Sequence, residues 1–179
     1  MLPILMLLAC VVLRLVPHPP NFAPVGATSV FAGRTMRLGS GMLLTLAAML
    51  ISDFALGTLK GIRAFDVGTP FIYAGFLVQL LLGRWLRAVR GGAIGAAVLG
   101  AAGFFVLSNF GVWIKGIYGL TLNGLAACYV AAIPFFGGTL VGDVVWTVVL
   151  SIAYRWIARR VELTNPALIP VPTAQIAAV

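Results

Sequence analysis

Two carboxylates stand inside apolar runs of this chain: Asp53 in LISDFALG and Asp143 in GTLVGDVVW. An acid facing lipid at mid-membrane costs about 2.5–3.5 kcal/mol, so both should face protein or water. There they can meet cations or donors on a ligand. Amides orient such a ligand, and aromatic rings cover its apolar parts. His18, Asn21, Asn109, Trp113, Tyr118 and Asn123 supply those types and complete the candidate substrate site with Asp53 and Asp143. Each also has a plainer reading. Asp53 can pair with Lys60 or Arg63, and Asp143 can complement the dipole in the first turn of a helix. Asn109 can bond between helices, and Trp113, Tyr118 and Tyr129 can form an interfacial belt.

Other chemistries lack their residues. The sequence has no Walker A loop, no HExxH, no GxSxG and no His, Cys and carboxylate run at metal spacing, so neither metal nor cofactor is expected. Cys10 and Cys128 lie far apart in apolar stretches and read as small hydrophobes. With one histidine and four acids, an enzyme would have to use Asp53, Asp143 and His18. A membrane-embedded enzyme of that kind, or a non-catalytic membrane scaffold, are the alternatives to a binding and transport role.

The elements that position these residues follow from composition. The chain is 61% hydrophobic and only 9% charged, with mean hydropathy +1.09, far too few charges for a water-exposed surface. An all-α polytopic membrane protein is expected, its helices spanning Leu2–Val16, Phe22–Met36, Ser40–Gly57, Pro70–Leu86, Gly91–Trp113 and Leu140–Ile157. The stretch from Tyr118 to Gly138 contains an apolar run, Leu125 to Phe136, too short to span and broken by Pro134 and Gly137-Gly138. It reads as a re-entrant or interfacial half-helix. One transmembrane domain, 1–160, precedes a loose cytoplasmic tail, 161–179.

The net charge of +8 is a topology signal rather than a nucleic-acid surface. With six crossings and both termini in the cytoplasm, the inner side holds Arg34, Arg37, Arg84, Arg87, Arg90, Arg155, Arg159 and Arg160. The outer side holds Lys60, Arg63 and Lys115. On that topology the candidate site residues gather toward the outer side. His18 and Asn21 fall in the first outer loop, Tyr118 and Asn123 in the last, and Asp143 opens the final helix. Asp53 lies roughly 20 Å along its helix.

Small residues add a weaker signal. Gly92, Ala96 and Gly100 form a stripe suited to packing within the chain, whereas Ala23, Gly26 and Ala27 could face a partner helix. The stretches PHPPNFAPVGA (Pro17–Ala27), ISD (Ile51–Asp53), LSNFGVW (Leu107–Trp113) and ACYVAAIPFFGGTLVGD (Ala127–Asp143) resemble a family of small bacterial membrane proteins described as candidate transport proteins. More distantly, the chain resembles the substrate-binding S components of energy-coupling factor vitamin transporters. That resemblance implies an inner-membrane protein with an outward-facing pocket for a small molecule such as a vitamin. It also implies a membrane coupling subunit with ATPases as partner. The S components carry their alanine-xxx-alanine coupling motif on the first helix, whereas Ala23 and Ala27 fall in the second segment here.

Overall fold

The computed structural model describes residues 2–17, 19, 21–61 and 63–164, the side chains of 2–4, 6, 7 and 161–164 excepted. Six helices account for nearly all of them: α1 (Leu2–Leu15), α2 (Val25–Thr35), α3 (Leu38–Lys60), α4 (Thr69–Trp85), α5 (Gly92–Ile114) and α6 (Leu122–Thr164). Local sequence sets most ends. Pro17 bars further helix after α1, Pro70 opens α4 in its first turn, and Gly61 closes α3 in the left-handed conformation at φ 63°. Of these helices, α3, α5 and α6 are long and apolar enough to cross a membrane.

The half-helix expected at 118–138 is absent, which corrects that expectation. Leu122 to Thr164 is one helix of 43 residues running straight through Pro134. A proline inside a helix costs about 3 kcal/mol, whereas each backbone group left unpaired in lipid costs several. Ending the helix at Pro134, on an exposed face beside Ile133 and Phe135, would leave such groups bare. Asp143 accordingly sits in the middle of α6 and does not open a helix. The expected tail starts later as well: 161–164 close α6, and 165–179 lie outside the described residues.

At the centre stands α2, packed against all five other helices. Every residue from Val25 to Gly33 is buried, including Thr28 and Ser29, and Ser29 Oγ returns its hydrogen to Val25 O at 2.9 Å. Small side chains make this possible, because they let neighbouring backbones approach. A Cβ at Gly33 would overlap Leu80 O, and one at Gly83 would overlap Val30 O. Gly26 and Ala27 are buried in the same way, and Ala23 packs against the cluster of Cys10, Val25, Ala48 and Met49. These residues serve the chain's own packing, so their expected role against a partner helix is corrected. The stripe Gly92, Ala96, Gly100 is also internal; a Cβ at Gly100 would meet Gln79 Cγ at 2.7 Å.

Helix levels follow from these contacts. Parallel to α4 runs α2: Gly26 lies against Gln79, Val30 against Gly83, and the Arg34 guanidinium donates to Leu86 O at 2.9 Å and Arg87 O at 3.2 Å. Alongside α3 runs α1, bringing Cys10 to Met49 and Arg14 to Ser52 and Asp53. The two short helices thus form a hairpin rising from the end of the bundle that holds Arg34 and Arg87. The start of α2 stands at the level of Gln79, roughly 15 Å below the start of α4, while Arg14 near the end of α1 reaches the level of Asp53 and Tyr73. At the hairpin's tip, Asn21 and Phe22 lie against the middle of α6. Trp146 Nε1 donates to Phe22 O at 2.9 Å, and Asn21 Nδ2 donates to Phe135 O at 3.4 Å.

Candidate functional site

Because the hairpin stops part-way, a space remains above its tip, walled by α3, α4, α5 and α6. It forms a cavity of about 340 Å³ whose lining includes Asn21 and Gly26 from the tip, Arg14, Lys60, Phe76 and Asp143. A second cavity, about 250 Å³, shares Asn21, Ile72, Phe104 and Thr139 with it and extends along α5 to Ser108 and Asn109. Asn21 and Ala23 bring irregular backbone to this space as part of its lining.

Two polar centres bound this space. At its floor, Gln79 Nε2 donates to Asp143 Oδ2 at 2.6 Å, with Gln79 fully buried and Asp143 4% exposed. Gly26 is required here, since a Cβ would overlap Asp143 Oδ1. Gln79 Oε1 has no hydrogen-bond partner. At the side, Arg14 Nη1 lies 2.6 Å from Asp53 Oδ1 and also donates to Ser52 Oγ, while Tyr73 O–H donates to Asp53 Oδ2 at 2.8 Å. Asp53 therefore pairs with α1 rather than with Lys60 or Arg63.

The structure brings together part of the residue set proposed from sequence. Asn21, Asn109 and Asp143 line the two cavities, and Asp53 stands directly behind Arg14. Asn109 also donates to Phe105 O of its own helix at 2.8 Å. Trp113, Tyr118 and Asn123 line neither cavity. Trp113 Nε1 donates to Gly119 O at 3.0 Å, Tyr118 is exposed in the 115–121 loop, and Asn123 is exposed in the first turn of α6. These three depart from the expected site because they lie at the end of the bundle, in and beside the 115–121 loop, where Trp113 bonds that loop instead of the cavity. His18 lies outside the described residues.

Sequence reasoning missed Gln79 and Arg14. Gln79 is the one amide of α4, in an otherwise apolar stretch, and that isolation was the available signal. Arg14 resembled an end-of-helix anchor, but its guanidinium turns inward to an acid on another helix. No three described His, Cys, Asp or Glu residues gather as metal ligands.

The sequence as a whole can now be placed beside known proteins. The family of unknown function DUF6580 matches residues 1–168. The chain belongs to that family. No curated protein matches it, and no solved structure does. The DUF6580 match takes in all six helices in full, so both cavities and both polar centres lie within it.

Proposed function

We propose that this DUF6580 protein is a membrane transport protein, acting as an S component-like subunit that takes up a small molecule through an outward-facing pocket. The observation carrying this reading is the cavity above the hairpin tip, with Asn21, Arg14 and Asp143 turned toward it among apolar walls. Pockets of that make-up, mostly apolar with a few convergent polar groups, are the usual form of small-molecule sites. Depth supports it too: ionisable side chains held inside a membrane bundle commonly mark substrate pathways.

In this reading the helices lie in the bacterial inner membrane with both termini cytoplasmic. The arginine-rich end faces inward, and the loops at 61–68 and 115–121 face out. Four helices, α3 to α6, cross. The α1–α2 hairpin enters from the cytoplasmic side and floors the pocket, in place of two further crossings. At about 1.5 Å per residue, neither of its helices reaches across roughly 30 Å of hydrocarbon. The chain performs no reaction of its own in this proposal and relies on a membrane coupling subunit with ATPases for energy. Since Gly26 and Ala27 are buried, that subunit must dock on another face.

Native mass spectrometry of the gently purified full-length protein tests the reading. A retained small molecule, lost on Asp143→Asn, is expected, together with co-purifying membrane and ATPase subunits. Protein that carries no small molecule under conditions preserving bound lipid would overturn it.

A further inference from the structure

The charged groups around the larger cavity are stepped along the bundle. Lys60, the last residue of α3, stands at the rim. Arg14 comes next, tied to Ser52 and Asp53, roughly 11 Å further down α3. Asp143 lies deepest, at the level of Gln79. Between the cations and the acid the wall is apolar and aromatic, with Phe76 and Phe104 at 4.7 Å between ring centroids.

Each group keeps capacity for a ligand. Arg14 reaches its described partners through Nη1 alone, and a guanidinium carries five N–H donors in a planar fork that matches a carboxylate. No ion pair among the described residues engages Lys60. Asp143 accepts its described hydrogen bond on Oδ2, and its Oδ1 lies beside the bare backbone of Gly26 in the cavity wall.

From this arrangement we infer that the cavity takes an amphipathic zwitterion, a molecule with a carboxylate at one end, an amine at the other and an apolar body between. Its carboxylate meets Lys60 and Arg14, and its ammonium meets Asp143. The inference rests on the cavity being a small-molecule site. Charge placement selects the class. Lys60 and Arg14 stand toward the rim and Asp143 at the depth, so a ligand with a negative and a positive end meets an opposite charge at each. A ligand bearing only one of the two ends leaves the group at the other end unmet. At about 340 Å³ the space is that of a small ligand.

Three near-isosteric probes separate the contributions: 4-(aminomethyl)benzoate carries both ends, 4-methylbenzoate only the acid and 4-methylbenzylamine only the amine. Each is titrated against the full-length protein in lipid nanodiscs, and thermal unfolding reports affinity. The zwitterion is expected to bind most tightly. Lys60→Gln, at the exposed rim and so safe for folding, should weaken both acid-bearing probes about tenfold and leave 4-methylbenzylamine unchanged. Asp143→Asn should weaken both amine-bearing probes by a similar factor. The inference is overturned if a single-ended probe binds as tightly as the zwitterion, if Lys60→Gln changes nothing, or if none of the three binds. The native mass spectrometry above separates the two claims. A retained molecule lacking either the acid or the amine leaves the transport reading standing and removes this one.

Discussion

Replacing Arg14 with methionine isolates the ion pair that ties the hairpin to α3. The pair is mostly buried, with 19% of the Arg14 side chain and 13% of the Asp53 side chain exposed. Removing one member of a buried pair costs about 3–5 kcal/mol, because the other charge stays behind without its partner. Here Tyr73 still donates to Asp53, and the adjoining cavity offers some solvation, so Arg14→Met belongs near the lower end, about 3 kcal/mol. Asp53→Leu leaves Arg14 beside the cavity with Ser52, and a long side chain can move its charge toward water, for a loss of about 2 kcal/mol. The double variant Arg14→Met/Asp53→Leu removes both charges and should stay within about 1 kcal/mol of the parent, a coupling of roughly 4 kcal/mol. A fluorogenic maleimide measures this directly, since Cys10 and Cys128 are 3% and 2% exposed and react only on unfolding. At about 2–4 °C per kcal/mol for a chain of this size, Arg14→Met should lower Tm by roughly 6–12 °C, with most of that recovered in the double variant. An Arg14→Met shift below about 2 °C, or a double variant equal to the sum of the singles, would refute the reasoning.

Four further outcomes follow from the packing and the loops. Gly33→Ala and Gly83→Ala each place a Cβ on a carbonyl of the facing helix and should cost at least about 2 kcal/mol. Gly137→Ala meets nothing within 4 Å and should gain up to about 1 kcal/mol from helix propensity, and the same maleimide assay reads all three. Pro134→Ala, on an exposed face of a continuous helix, should keep or raise Tm; a fall of several degrees would mean that the proline shapes the site. At the α3–α4 loop, the Lys115 ammonium 2.5 Å from Asp66 holds that carboxyl below its ordinary range. A carboxyl depressed in the folded state stabilises above its unfolded pKa and loses that contribution as pH falls through the folded value. Stability should therefore dip slightly below about pH 4, by less than about 1 kcal/mol since Asp66 is half exposed, and Lys115→Met should shrink this dip to what the Gly68 and Thr69 backbone contacts sustain.

Much of the fold was legible because hydropathy reports each residue's own cost of meeting lipid. The limits of α3, α4 and α5 agree with the apolar runs to within a few residues, and Pro17 marks the end of α1 in both. What hydropathy does not carry is which groups face each other. Arg14 and Asp53 are far apart in sequence, and each had nearer apparent roles as an anchor and a loop partner. Pro134 was misread because the proline and the Gly137-Gly138 pair were weighed above the cost of leaving backbone groups unpaired on an apolar exterior. The shortness of the second apolar segment was visible, but its consequence depended on how deep α2 begins beside α4. Asn21 therefore fell into an outer loop in the sequence reading, whereas it sits at mid-bundle against Phe135. Asp143 was legible as an inward-facing acid; its partner Gln79 follows only from the close approach of α2, α4 and α6 at Gly26.

The central claim is that the hairpin tip floors a pocket open to the outside, and cysteine accessibility at Asn21 tests it most directly. In a Cys10→Ser/Cys128→Ser background, Asn21→Cys is exposed in intact cells to a membrane-impermeant methanethiosulfonate reagent. Leu43→Cys, on an exposed apolar face of α3, serves as the lipid-facing control. Modification of Asn21→Cys from outside, with Leu43→Cys untouched, is the expected result. Asn21→Cys that resists the reagent from outside, or reacts only in inside-out vesicles, would contradict an outward-facing pocket.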